Sequence, residues 1–598
     1  MIHWRKILLL VSILLALGSY LYFYELRGKE SRRAKEEAAK KLFSLKKEEV
    51  QEVHLQKGSR VIVCRKVSGR WQLVSPLKAP ADSGAIEGLL SSLTDLTTER
   101  TVEEKPKDLN PYGLQIPQGE VRLKGSRGEQ ALRVGGQSPL DSFLYVQKRG
   151  SSSVLLTSSS LQDSLNKEVY DLRDKTVLAF SPQEVRKVEV IRDALNLSCR
   201  RTTGDQWELL TPIRYRADGE KIREALQKLK ELKVKQFVED RSQDLTPYGL
   251  NTPQGRLILW KEDRGKPTSQ ILLWSKQEGG QIYAQHQGEG TPSGAGAQVL
   301  ALDEDLLKAL PATADDWRDP RPFQVTSEEK VEKLELGYPD ERVICAREKG
   351  ARWRLQSPVQ AAASAPEVEA LLGKLKELKV KRFVTDSPSS LAAFGLEKPG
   401  RYCRVWQKGQ ATPQTLWLGQ EVPNEEGVYG RMEPASTVFL LASKEVGELT
   451  KRGVDLRDRS LLSFDPSEIG KVALQYPKFA LLLERKGEEW SLVEPQKKKA
   501  RPTKAIDLLW EINGLKFQEI LTEKGGQESH YGLDRPQLTI TLWKTNGALF
   551  DTLLLGTKDP AKGLVYAKTG SKATVYAVED VFLNKLPKTA AEVAEEKK

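Results

Sequence analysis

The sequence predicts an α+β fold: a tandem repeat of four mainly antiparallel-sheet domains behind one N-terminal transmembrane helix. Three observations predict it. Four tryptophans, Trp71, Trp207, Trp353 and Trp490, are spaced by 136, 146 and 137 residues. Four aromatic-Gly-Leu triplets, at Tyr112-Gly113-Leu114, Tyr248-Gly249-Leu250, Phe394-Gly395-Leu396 and Tyr531-Gly532-Leu533, repeat those spacings. A charge-free run, Ile7 to Tyr24, opens the chain. Self-similarity at a fixed period is the mark of a repeat architecture. The 598 residues, at about 150 per domain, give the same count of four.

The eighteen residues of Ile7–Tyr24 span about 27 Å as a helix, enough for a bilayer core. Trp4 precedes the run and Tyr20, Tyr22 and Tyr24 close it, as interfacial aromatics do. A cleaved signal peptide is the alternative, with Ala16 and Gly18 as small residues, but the apolar run continues past them. With no Cys nearby, a lipoprotein is excluded. Arg27, Lys29, Arg32, Arg33 and Lys35 follow the run, and by count they argue for the carboxyl side inside. A short basic head (Arg5, Lys6) before a first apolar segment argues for export, and long domains translocate largely regardless of charge. The expectation is a single-pass protein of the cytoplasmic membrane with its bulk on the periplasmic side. Its parts are a cytoplasmic head 1–6, a helix 7–24, a charged stalk 25–42, repeat domains 43–177, 178–322, 323–461 and 462–590, and a charged tail 591–598.

Each copy reads in the same order. It opens on a turn such as Ser181-Pro182-Gln183-Glu184 or Asp465-Pro466-Ser467-Glu468, with an N-cap residue, Pro at N1 and Glu at N3. Alternating strands follow, such as Lys187–Ile191 and Val61–Cys64. A third strand carries the Trp and ends at Pro76, Pro212, Pro358 or Pro495. A helix comes next; in copy two Ile222, Leu226, Leu229 and Leu232 make one apolar face. Beyond the aromatic-Gly-Leu turn lie further strands, such as Leu538–Leu542 and Thr552–Gly556, and a short closing helix, such as Glu304–Leu310. Hairpin-length loops between most strands imply antiparallel pairing.

This succession is Trp-x-Leu-x-x-Pro, a helix, Tyr-Gly-Leu-Asp-x-Pro, Leu-Leu-Gly, Val-Tyr-x-Val and Leu-Arg-Asp. It resembles the bacterial family of domain-of-unknown-function 4340, over essentially everything after residue 42. Copy four carries its middle most clearly, at Tyr531–Pro536, Leu554-Leu555-Gly556 and Val575–Val578. Copy three departs with Phe394 for Tyr and Ala393 for Pro, and copy two has Trp317 where Leu172 and Leu456 stand. The resemblance implies a bacterial envelope protein with one amino-terminal anchor. It also implies association with ABC-type export or gliding-motility-type transporter components, permease subunits among them, and it implies no catalytic residues.

The repeated motifs have structural and functional readings. The aromatic-Gly-Leu triplet is expected to be a tight turn with Gly at positive φ, the aromatic and Leu packed inward, and Pro117, Pro253, Pro399 and Pro536 fixing the exit. One Trp per copy at one point of a strand is expected to anchor a core; lining a sugar-stacking groove is the alternative. The Asp-x-Arg-Asp element occurs as Asp171/Arg173/Asp174, Asp316/Arg318/Asp319 and Asp455/Arg457/Asp458. It closes copies one to three and is absent after copy four, so it is expected to clamp junctions, with Arg bridging to the adjacent copy. Paired carboxylates in a glycosidase-like hydrolase are the alternative.

Composition narrows the functions. With 4 His, 4 Cys and 2 Met, a disulfide scaffold, a haem protein or a metal-centred enzyme is disfavoured, and no metal or cofactor is expected. Cys64, Cys199 and Cys345 precede the repeat Trp by 7, 8 and 8 residues and read as one core position, with Leu482 replacing them in copy four. A Cys345–Cys403 disulfide stays open. His54, His286 and His530 are non-equivalent and isolated. Gly288–Ala297 lacks the Lys-Ser/Thr of a phosphate loop and reads as a hairpin insertion. Lys497-Lys498-Lys499 and Arg501 read as a solvated loop rather than a nucleic-acid site; 94 basic against 82 acidic residues is a mild excess. The reading is a non-enzymatic envelope scaffold or transporter accessory, with a cell-wall or polysaccharide-binding module as the alternative.

Overall fold

The computed structural model describes residues 12–15 and 39–595, apart from 127, 140–141, 264–265, 278, 289–295, 326 and 349–351. Of the charge-free run only Ser12–Leu15 is described, as helix. The rest of the expected anchor, the head and most of the stalk lie outside the described residues, as does the centre of the 288–297 insertion. Among the described residues, no helix is long and apolar enough to cross a membrane. The chain divides into two compact units, Met1–Asp319 and Pro320–Lys598. The first holds copies one and two, the second copies three and four.

Copy one shows the pattern. Its elements run β1 (Val50–Lys57), β2 (Arg60–Val67), β3 (Arg70–Ser75), β4 (Ala79–Pro80), α1 (Ser83–Thr94), β5 (Arg100–Glu103), β6 (Gly119–Gly125), β7 (Gly128–Gln137), β8 (Phe143–Lys148) and β9 (Val154–Ser158). The sheet order is β4-β3-β2-β1-β6-β7-β8-β9-β5, and every pair is antiparallel. Two hairpin meanders meet where β1 pairs with β6, and α1 carries the chain from one edge of the sheet to the other. The other three copies repeat this nine-stranded order. The sheet-rich α+β repeat expected from the sequence is what the chain forms.

One face of each sheet is apolar because period-2 alternation puts every second side chain under the helix. In β6 the buried positions are Gly119, Val121 and Leu123, alternating with Glu120 and Arg122. Helix α1 buries Ile86, Leu89, Leu90 and Leu93 on that face, and the Asp82 carboxylate caps its first turn by accepting from the Ala85 N–H at 3.0 Å. The helices α2 (Gly219–Glu231), α3 (Ala365–Glu377) and α4 (Pro502–Asn513) take the same place in copies two to four. The repeat tryptophans are only 2–5% exposed and belong to the four cores. Burial of this degree is that of core anchors, and Trp207 shows only an edge to a small surface pocket beside Arg201 and Arg223.

Several expectations are corrected. Residues 591–595 are not a loose tail: Val593 and Ala594 are buried in the core of copy four. Lys498–Lys499 is a short fourth strand, not a loop, and Lys499 pairs with Glu489. The copy-four counterpart of the cysteines is Leu483, not Leu482: Cys64 pairs with Val53 and Leu73, and Leu483 with Val472 and Leu492. The cysteines are free and buried, and burial pushes the Cys64 and Cys345 thiols up to about 12. Cys345 and Cys403 lie on strands flanking the first strand of copy three (Val331–Gly337), one opposite Leu334 and the other opposite Leu336. Two strand spacings, about 9–10 Å, exceed the reach of a disulfide, about 7 Å between Cα atoms.

Candidate functional site: the junction between copies

The aromatic-Gly-Leu triplet forms the same turn four times. Gly113, Gly249, Gly395 and Gly532 have φ of +65°, +64°, +67° and +66°, the left-handed region that favours glycine. The Leu of each triplet is buried. The aromatic is not: it stays half-exposed and meets a tyrosine of the eighth strand edge-on, with centroids 5.0–5.1 Å apart (Tyr112–Tyr145, Tyr248–Tyr283, Phe394–Tyr429, Tyr531–Tyr566). Tyr112 and Tyr248 donate their hydroxyls to Glu103 and Glu239 at 2.8 and 3.1 Å. The turn presses on the seventh strand so closely that a Cβ on Gly135, Gly419 or Gly556 would lie 2.1 Å from the preceding aromatic's carbonyl oxygen.

The Asp-x-Arg-Asp element is a one-turn closing helix followed by an extended residue. Its first acid caps that turn. Asp171 accepts from the Glu168 N–H at 2.8 Å, Asp316 from Ala312 and Thr313 at 2.8 Å each, and Asp455 from Arg452 at 2.9 Å. Its second acid holds the linker. Asp174 accepts from the Thr176 N–H and Asp458 from the Ser460 N–H, both at 2.9 Å. The Asp319 N–H donates to the Arg216 carbonyl at 3.0 Å. Backbone donors therefore engage the carboxylates of Asp171, Asp174, Asp316, Asp455 and Asp458, which weakens the reading of them as an acid–base pair. Copy four keeps a version of the turn, in which Glu592 accepts from the Lys588 N–H and Thr589 hydroxyl and Ala594 replaces Arg. Ala594 bridges Ala500, as Arg173, Arg318 and Arg457 bridge Ala81, Ala217 and Ala363.

The arginines point elsewhere. Arg173, 5% exposed, donates from both terminal amino groups to the Asp240 carboxylate of copy two, one at 3.2 Å. Its guanidinium lies 3.6 Å over the Phe237 ring. Burial alone would raise the Asp240 carboxyl, but Arg173 and the Gln298 amide hold it below its ordinary range. Tyr170 adds a hydroxyl bond to the Val234 carbonyl at 3.0 Å, and the Val234 N–H donates to Lys175 at 2.8 Å. In the second unit, Arg457 donates to Glu523 of copy four at 2.6 Å, and the Phe517 N–H donates to the Arg459 carbonyl at 2.9 Å. Arg318 donates to Asp315 at 3.0 Å and stacks 4.9 Å from the Tyr215 ring, both in its own copy.

The acceptor acids were not found from the sequence, although a signal exists. Asp240 and Glu523 each stand seven residues after the lysine that bridges the linker, Lys233 or Lys516. Asp386 stands seven after Lys379 in copy three. A second tryptophan series was also missed: Trp260, Trp406 and Trp543 recur with spacings of 146 and 137. Each sits on the helix-free sheet face beside a first-strand lysine (Lys187, Lys333 or Lys471).

Among the described residues, no group of His, Cys, Asp and Glu is arranged to hold a metal ion. Comparison with curated proteins and with solved structures returns no match. A family model described as a domain of unknown function, DUF4340, matches residues 71–213, 207–352, 353–526 and 490–597. Each match begins at or next to a repeat tryptophan and together they cover most of the chain, which therefore belongs to the DUF4340 family.

Proposed function

We propose that this protein is a non-enzymatic scaffold of the bacterial envelope. The apolar run Ile7–Tyr24 anchors it in the cytoplasmic membrane with the repeats on the periplasmic side, and it serves as an accessory of an ABC-type, gliding-motility-like transport system. The observation that carries the scaffold reading is the closing turn. Its carboxylates serve backbone N–H groups, and its arginine, at the two junctions within units, serves the next copy. Repetition of a linking element without a repeated reactive cluster favours extended interaction surfaces. The membrane and transporter parts rest on the apolar run and on family membership.

The experiment is affinity capture from membranes with the amino-terminal run intact, followed by identification of permease subunits. Recovery of a permease supports the reading; capture of none, with binding to isolated cell wall, replaces it with a wall-binding one. Reporter fusions at the carboxyl terminus test the topology, and a cytoplasmic signal overturns the envelope assignment.

A further inference from the structure

Copy three differs from the others on the sheet face its helix does not cover. Glu335, at the middle of the first strand, is 1% exposed although it points away from the helix. Its Oε1 accepts from Arg342 Nε at 2.9 Å and from the Tyr402 hydroxyl at 2.8 Å, with Arg404 Nη1 at 3.6 Å. Its Oε2 has no hydrogen bond and lies 3.7 Å from Lys333 Nζ. Burial would raise this carboxyl, but the Arg342 and Tyr402 hydrogen bonds hold it below its ordinary range, so it stays ionised.

The cations above it have donors to offer. Arg342 has a side chain 58% exposed and is tied through Nε. Among the described residues the Arg404 side chain makes no hydrogen bond. Its guanidinium is held by rings, 4.5 Å from Tyr402 and 5.3 Å from Trp417. Lys333 rests 4.3 Å over Trp406. Lys333, Arg342 and Arg404 outnumber the carboxylates of Glu335 and of Glu433, which accepts from Trp417 Nε1 at 3.2 Å, so the face keeps a net positive charge with unengaged N–H groups, the arrangement that recognises planar anions.

The constellation is particular to copy three. The positions of Arg342, Tyr402, Arg404 and Trp417 are Val61, Glu120, Arg122 and Arg133 in copy one, Asn196, Arg256, Ile258 and Leu273 in copy two, and Ala480, Thr539, Thr541 and Leu554 in copy four. Room for it is made by Gly337, where the other copies have Gln56, Ile191 and Gln475: a Cβ there would lie 2.0 Å from the Tyr402 ring.

We propose that this face of copy three binds an acidic polysaccharide, with its anionic groups on Arg342 and Arg404 and its hydroxyls on the remaining donors. Arg342 is exposed and Lys333, Tyr402, Arg404, Trp406 and Trp417 are half-exposed across neighbouring strands, a strip that suits a polymer. Arg404 and Lys333 already lie against the aromatic rings, which disfavours base stacking and hence single-stranded nucleic acid. The choice of a saccharide among polyanions rests on the envelope reading, whose own tests are the permease capture and the reporter fusions.

The test measures binding of the full chain in detergent to polygalacturonate, dextran and oligo-dT at about 50 mM salt, where surface charges are weakly screened. Polygalacturonate binds and weakens with added salt, while dextran and oligo-dT do not bind comparably. Arg342→Gln, at an exposed side chain that leaves the cores untouched, raises Kd at least about tenfold. Arg342→Gln with Arg404→Gln abolishes binding, whereas Lys374→Gln, on the opposite side of the sheet, leaves it unchanged. Equal binding by Arg342→Gln and the wild type overturns the proposal, as does failure of polygalacturonate to bind or equal affinity for oligo-dT. A localised periplasmic protein that fails here leaves the scaffold reading standing and removes only the saccharide site.

Discussion

Arg173 of copy one closes over Phe237 and grips both oxygens of Asp240 in copy two. A single bond, at 2.6 Å, joins Arg457 to Glu523 between copies three and four. These pairs tie together domains whose cores are otherwise separate.

Removing the cation should loosen the junction without unfolding either copy. Arg173→Ala is expected to cost about 1–2 kcal/mol of coupling, because Asp240 is partly exposed and its charge rehydrates. Amide exchange of Val234, whose N–H reaches Lys175 across the junction, accelerates, while exchange within α2 stays slow. Unchanged exchange at Val234 would count against a coupling role.

Acid should act at the same place. Arg173 holds Asp240 below its ordinary range, so its folded value lies below the unfolded one, about 3.9. The pair's contribution is complete above the unfolded value and is lost as pH falls through the lower folded value. Exchange at Val234, corrected for intrinsic pH dependence, should rise over that window in the wild type and show no such rise in Arg173→Ala.

The turn should tolerate no side chain on its neighbouring strand. Gly135→Ala puts a Cβ 2.1 Å from the Tyr112 carbonyl oxygen, backbone that has no flexible end to move. A loss of about 2–4 kcal/mol is expected from copy one, as for overpacked cores, measurable as a lower urea midpoint. Gly58→Ala, with no neighbour within 4 Å, should lose only what its φ of +55° costs, about 1 kcal/mol.

The thiols should be silent in the native state. Cys64 and Cys345 are buried and pushed up to about 12, and burial raises Cys199 and Cys403 as well. Thiolate is the reactive form, so maleimide at neutral pH should label none of the four until denaturant is added, as intact mass will report.

Local pattern made much of the fold legible. The i, i+4 spacing of Ile222 and Leu226 marks α2, and the repeat period marks four copies, because both signals lie within short stretches of chain or recur at fixed distance. The pairing of β1 with β6 was not legible, since two strands about seventy residues apart carry no local mark of each other. Arg173 could be picked out as a linking residue, but Asp240 was harder: it neighbours Glu239 on a polar strand, and its place seven residues after Lys233 gains meaning only once the next copy's edge is known. The face around Glu335 stayed hidden for the same reason, since Gly337, Arg342, Tyr402 and Trp417 meet only across four strands.

The central place of β1 in its sheet bears on how such a chain can be divided. A segment excised from Trp71 to Ile213 keeps β3 to β9 of copy one and gains Val185–Arg192, Leu195–Arg201 and Trp207–Thr211 of copy two. It loses β1 and β2, so β6 is left as a bare edge in the middle of what was a continuous sheet. The borrowed strands, which pair with each other and with a sixth strand left behind, are the nearest substitute. Such a piece invites strand exchange between molecules, and a cut before β1 and after the closing turn is the one that yields a self-contained sheet.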